Sequence, residues 1–156
     1  MNRQISLVGA PTDIGAGARG ASMGPEALRV ALLQPTLEGH GLEVVDRGNL
    51  SGPANPWQPP VNGYRHLAEV VQWNRTVHEA VHAELRQSRL PILLGGDHCL
   101  AIGSISAVAR HCREAGKSCA CCGSMRTPTS TPTSSHRAAT STACRWPACA
   151  ATARRS

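Results

Sequence analysis

The spacing of apolar residues changes several times along the chain, and each change marks an element. Ile5-Ser6-Leu7-Val8 is a short apolar run broken by Gly9 and Pro11, which predicts a buried strand. A glycine-rich loop follows from Thr12 to Met23. Pro25 and Glu26 suit the first turn of a helix. That helix is expected to run through Leu33 and to stop near Pro35. Leu42-Glu43-Val44-Val45-Asp46 predicts a second strand. Gly48 to Gly63 carries four prolines and reads as a loop. From Tyr64 to Gln87, residues Leu67, Val70, Val71, Val77, Val81 and Leu85 recur at three- and four-residue steps, the stripe of an amphipathic helix. Leu90-Pro91-Ile92-Leu93-Leu94 is apolar throughout, as a strand covered on both faces is. Cys99 to Ala115 reads as a helix that ends at Gly116.

Strand and helix alternating three times predict an α/β fold with a parallel sheet. Binding sites in such sheets lie beyond the carboxyl ends of the strands. Gly95-Gly96-Asp97-His98 sits at such an end, where the two glycines permit a tight turn and close approach of other segments.

The apolar pattern vanishes after residue 117. From Ser118 to Ser156 there is no Leu, Ile, Val, Phe or Tyr, and Met125 and Trp146 are the only large apolar residues besides cysteines. Such a segment cannot bury enough apolar area to offset the entropy of ordering it. The chain is therefore divided into a body, 1–117, and an aberrant tail, 118–156, expected to be disordered. Charge divides the same way. Of 16 Lys+Arg, 11 lie in the body with all 10 acids, and the other five are tail arginines. The body is near neutral, so the sequence pI of 9.3 reflects the tail and does not make the domain a nucleic-acid binder. Five of the seven cysteines are in the tail; Cys99 and Cys112 are in the body. The amino terminus starts a strand rather than a signal peptide, and no apolar run reaches the length of a membrane span. These features point to a cytoplasmic, reducing setting with free thiols and no membrane partner.

Asp97 has two readings by itself. It can cap the helix that follows by accepting its free N–H groups, or it can take part in a site. His98 can satisfy a structural hydrogen bond or bind a metal, and no second ligand stands at short spacing. His66, His78 and His82 fall on the long helix without an acid partner and are read as solvated. The cluster Gly15-Ala16-Gly17-Ala18-Arg19-Gly20 lacks the spacing and the lysine of a phosphate loop.

The body resembles the N-terminal part of a bacterial arginase of the ureohydrolase family. Val8-Gly9-Ala10-Pro11-Thr12-Asp13 resembles the family's first strand and turn. Gly20-Ala21-Ser22-Met23-Gly24-Pro25-Glu26-Ala27-Leu28-Arg29 resembles its entry to the first helix. Gly95-Gly96-Asp97-His98 resembles its first metal motif, with Cys99 where serine is usual. The resemblance runs from residue 4 to about 117 and covers a third or more of a family member. It implies a three-layer α/β/α fold, here truncated. It implies His98 as a ligand to one of two manganese ions, with Asp97 in a supporting or capping place. It also implies hydrolysis of L-arginine to L-ornithine and urea by a metal-activated hydroxide, and a homo-oligomer, trimer or hexamer. The family's remaining ligands come from later Asp-x-His-x-Asp and Asp-x-Asp motifs. This chain has no aspartate after Asp97. No catalytic residue is therefore assigned, and the chain as written is expected to be inactive.

The genetic code permits a further reading of the tail. Reading the third base of each codon with the first two of the next, residues 122–132 can spell Trp-Leu-Asp-Ala-His-Ala-Asp-Phe-Asn-Thr. Residues 136–147 can spell Pro-Ser-Gly-Asn-Ile-His-Gly-Met-Pro-Val-Ala. The first contains the missing metal motif, and the second resembles the family's substrate loop. A frameshift near Lys117–Ser118 explains the absent aliphatics, the absent acids and the excess of cysteine and arginine together. Competing readings of the tail are a zinc module, which its Cys-x-Cys-Cys spacing disfavours, and a basic arm for nucleic acid, which five arginines and one tryptophan support weakly. Within the family the alternative is an agmatinase. Outside it, the alternative is a non-catalytic α/β module with a basic disordered tail.

Overall fold

The computed structural model describes residues 4–120. Strand β1 (Ile5–Ala10) is buried at every position and forms the centre of a three-stranded sheet. It pairs in parallel with β2 (Val44–Asn49) on one side and with β3 (Leu90–Gly95) on the other. Four helices connect and cover these strands: α1 (Gly24–Val30), α2 (Leu33–Gly39), α3 (Leu67–Arg86) and α4 (Ala101–Glu114).

Side chains alternate across a strand, so the sheet feeds two cores. Ile5, Leu7, Val44 and Leu94 pack with Leu33 and Leu37 of α2 on one face. Ala10, Ile14, Trp73, Val77, Val81, Leu100 and Ala107 form the other core, beneath α3 and α4. The result is a three-layer α/β/α arrangement, as the sequence pattern and the resemblance lead one to expect.

Two clusters of polar residues inside this frame are matched. Arg29 on α1 makes a two-pronged ion pair with Asp46 on β2, Nε to Oδ2 at 2.7 Å and Nη2 to Oδ1 at 2.9 Å. The guanidinium holds the Asp46 carboxyl below its ordinary range. Glu84, buried on α3, accepts from the hydroxyl of Ser6 at 2.6 Å and pairs with Arg47 at 3.0 Å and Arg89 at 3.2 Å. Ser6 is thereby satisfied in the middle of an apolar strand.

Several boundaries differ from the sequence reading. The first helix ends at Val30, Leu32 takes a left-handed backbone (φ 60°), and α2 carries Pro35 within its first turn. A proline costs nothing there, because the first N–H groups of a helix have no intrahelical partner. The second strand lies at 44–49 rather than 42–46. The long helix begins at Leu67, since His66 is left-handed (φ 47°). A 3-10 turn, His98–Leu100, precedes α4, and Gly116 (φ 64°) follows it closely. Of the tail, residues 121–156 lie outside the described residues.

Candidate functional site

The turn Gly95-Gly96-Asp97-His98 leaves the carboxyl end of β3 beside the carboxyl end of β1, where the chain enters the glycine-rich loop. Of its two glycines, Gly96 is the one that contact requires, since a Cβ on Gly95 would meet only Leu100, at 3.7 Å. A Cβ on Gly96 would stand 2.2 Å from the Thr12 carbonyl oxygen and 2.5 Å from that of Ala21. The Asp97 N–H donates to the same Thr12 carbonyl at 3.1 Å. The loop after β1 thus forms a collar around the turn after β3.

Asp97 has an extended backbone (φ −76°, ψ 143°), and its Oδ1 accepts from the Cys99 N–H at 3.1 Å. This is a helix cap, one of the two roles open to it from sequence. Its Oδ2 is buried without a hydrogen-bond partner among the described residues. That oxygen lies against Gly15, where a Cβ would come within 2.6 Å of it. Cys99 is half-buried next door. Burial first, and then the Asp97 charge, push its thiol up to about 11. It is a protonated thiol at neutral pH, not a nucleophile.

His98 is exposed in the 3-10 turn at the entry to α4, and no hydrogen bond or ion pair holds its imidazole among the described residues. Its ring is available to a ligand. The three histidines read as solvated, His66, His78 and His82, all have partners, contrary to the sequence reading. His66 Nδ1 donates to the Ile14 carbonyl at 2.8 Å while Nε2 accepts from the Gln58 N–H at 3.1 Å, which fixes one tautomer. His82 is buried, and its Nε2 meets Glu114 of α4 at 2.9 Å. His78 stacks on His82 with ring centroids 6.0 Å apart. The acid partner of His82 lies 32 residues downstream, beyond any local spacing rule.

Sequence reasoning missed the residues that hold the collar. Asp13 is buried, and its carboxylate accepts from Asn55 Nδ2 at 3.2 Å and from the Ser22 hydroxyl at 3.4 Å. Asn74 on α3 accepts from the Gly103 N–H at 2.6 Å, capping α4 from a neighbouring helix. Asn55 stands in a proline-rich loop, and Asn74 looks like any polar face residue of a helix. Neither carries a local mark of its role.

A two-metal centre needs several ligands of suitable type and geometry. Among the described residues no group of three or more His, Cys, Asp or Glu is placed to hold a metal ion. His98 supplies one imidazole, and Asp97 spends one oxygen on its cap. The described residues alone do not fit a pair of manganese ions.

Comparisons with known proteins agree on the body. The family model described as the arginase family matches residues 3–119. An arginase of Brevibacillus brevis is 37% identical over 119 residues, covering 76% of this chain and 40% of that protein. An arginase of Brucella suis is 36% identical over 112 residues, covering 71% and 36%. Among solved structures, the native arginase of Bacillus caldovelox has a TM-score of 0.64 at 35% identity, over 70% of this chain and 37% of that one. A putative agmatinase from Clostridium difficile, at 16% identity and a TM-score of 0.52, shares the fold. The chain spans about two fifths of the length of the curated relatives it matches.

Proposed function

The chain belongs to the arginase family, and on that premise we propose that it carries the first metal-binding turn of a manganese-dependent arginase, which hydrolyses L-arginine to L-ornithine and urea. One observation carries the reading. His98 presents an imidazole with no partner among the described residues at the carboxyl end of β3, on a turn whose backbone is clamped by the close contact at Gly96 and by the Asp97 cap. A structural histidine would be expected to spend at least one ring nitrogen on the protein, as His66 and His82 do.

In this reading the 156-residue chain is not itself a competent hydrolase. Its described residues do not assemble the ligand set, and the residues from about Lys117–Ser118 onward are the product of a shifted reading frame. The absence of any Asp or Glu after Glu114 supports this. The names of the curated relatives favour arginine over agmatine as substrate. No helix among the described residues is long and apolar enough to cross a membrane.

Two experiments test the proposal. The purified chain with manganese and L-arginine should release no urea above a metal-free blank; sustained release would sink the claim of incompetence. Genomic DNA read from the Arg110 codon past Trp146 should show an extra or missing base near Lys117. If one appears, the corrected protein should release urea from arginine in preference to agmatine. If the written frame stands, the shifted-frame reading is wrong.

A further inference from the structure

The buried carboxylate of Glu84 on α3 is fully spent on the protein. Burial pushes this carboxyl up, but the hydrogen bonds from Ser6, Arg47 and Arg89 outweigh it and hold the group below its ordinary range. Glu84 is therefore ionised at neutral pH. Two guanidiniums face this one carboxylate, so the cluster keeps one positive charge.

The polar atoms of the cluster that stay unused are donors. Arg47 gives Nε to Glu84 Oε1 at 3.0 Å and Nη2 to Oε2 at 3.2 Å. Its Nη1 has no partner among the described residues. Arg89 gives Nε to Gln4 at 2.6 Å and Nη1 to Glu84 at 3.2 Å and to the Gln87 amide oxygen. With its oxygen turned to Arg89, the exposed Gln87 has only its amide N–H groups to offer elsewhere.

Arg47, Glu84 and Gln87 line one part of a cavity of about 380 Å³ between β2 and α3. Val8, Leu50, Ala80 and Ala83 line the rest, and the two alanines make room by ending at Cβ. Small-molecule sites have this make-up, an apolar wall with a few placed polar groups. None of the lining residues belongs to the turn at 95–98.

We propose that the cavity between β2 and α3 binds a small aliphatic carboxylate, held at its charged end by Arg47 Nη1 and the Gln87 amide and along its chain by Leu50, Ala80 and Ala83. Charge-assisted donation to the carboxylate fixes its orientation, and burial of the chain adds affinity. A cation or a neutral donor finds no match, because both Glu84 oxygens already accept from Ser6, Arg47 or Arg89. A bare inorganic anion has nothing to lay against the apolar wall. The site stands apart from His98 and does not depend on the function proposed above.

The test titrates the full, isotope-labelled chain with valerate at neutral pH and follows the backbone amides by NMR. Saturable shifts at Leu50, Ala80 and Ala83 are expected, with a Kd on the order of 1 mM for a ligand of so few atoms. Pentylamine, which carries the same length of chain on a cation, and inorganic phosphate should each bind at least tenfold more weakly. Arg47→Met keeps the aliphatic stem and removes the donors. Ala83→Leu fills the cavity without touching an ion pair. Each should raise the Kd for valerate at least tenfold, whereas Ala68→Leu, exposed on the same helix outside the lining, should leave it unchanged. Circular dichroism checks that each variant folds, and Ala83→Leu alone suffices if Arg47→Met does not. The absence of saturable shifts overturns the proposal, as does an unchanged Kd in the folded variants. Pentylamine binding as tightly as valerate would leave only an apolar cleft, and phosphate binding as tightly would leave only a surface charge; either result overturns it too.

Discussion

Asp97 and Cys99 show how a few atoms set chemistry at the scale of single residues. One carboxylate oxygen of Asp97 caps the turn, while the other is buried against Gly15 with no donor. Placing a thiolate beside that charge and out of water is costly, which is why the Cys99 thiol is pushed up to about 11. A free thiol titrates at about 8.5. At pH 8, iodoacetamide should therefore label Cys99 at least tenfold more slowly than free cysteine, read by mass spectrometry of the labelled peptide. Asp97→Asn keeps the capping oxygen and removes the charge, so it should speed the labelling. Equal rates in both proteins would show that the carboxylate does not govern the thiol.

Two contacts set how the helices meet. Gly103 lies against α3 so closely that a Cβ would stand 2.4 Å from the Asn74 carbonyl oxygen, which is backbone and cannot swing aside. Gly103→Ala should force α3 and α4 apart and destabilise the protein by about 1–3 kcal/mol, the usual range for overpacking. Chemical denaturation measures this, and an unchanged midpoint would refute the close packing. At the far end of α4, Glu114 accepts from Arg110 at 2.8 Å and meets His82 at 2.9 Å. Arg110 first, and then His82, lower its carboxyl to about 2 from 4.5. A depressed acid stabilises the fold fully above its unfolded value and loses that contribution as pH falls toward the folded one. Stability should decline between about pH 4.5 and pH 2, and Glu114→Gln should flatten that decline. A parallel acid limb in the variant would remove Glu114 from the explanation.

For the whole molecule, the two cores and the Glu84 cluster hold the layers together, and the metal chemistry of the family has only one foothold among the described residues. A ligand that binds only the folded state raises its stability by RT ln(1 + c/Kd), with c its free concentration, so a ligand well below its Kd adds nothing measurable. One imidazole offers manganese little, so millimolar manganese should leave the melting temperature of the chain unchanged. A rise of several degrees would mean that further ligands reach the ion. The same measurement on a frame-corrected protein should show the rise. Metal binding therefore separates the chain as written from the protein proposed to lie behind it.

Much of this was legible in the sequence, and the reason is range. The period of the apolar residues, the glycine and proline breaks and the position of Asp97 just before a helix all act over a few residues. Element order, the parallel α/β class and the place of His98 at a strand end followed from them, and the Asp97 cap was one of two readings they left open. The break at Leu32 escaped, because Pro35 stops a helix in the middle but is harmless in a first turn. What only the tertiary structure decided involves residues far apart in the chain: the sheet order β2-β1-β3, the collar of Thr12 around Gly96, the Asn74 cap on Gly103 and the Glu114 partner of buried His82. Each of these pairs meets only after the crossover helices have folded back onto the sheet, and no local spacing encodes which residues then stand opposite one another.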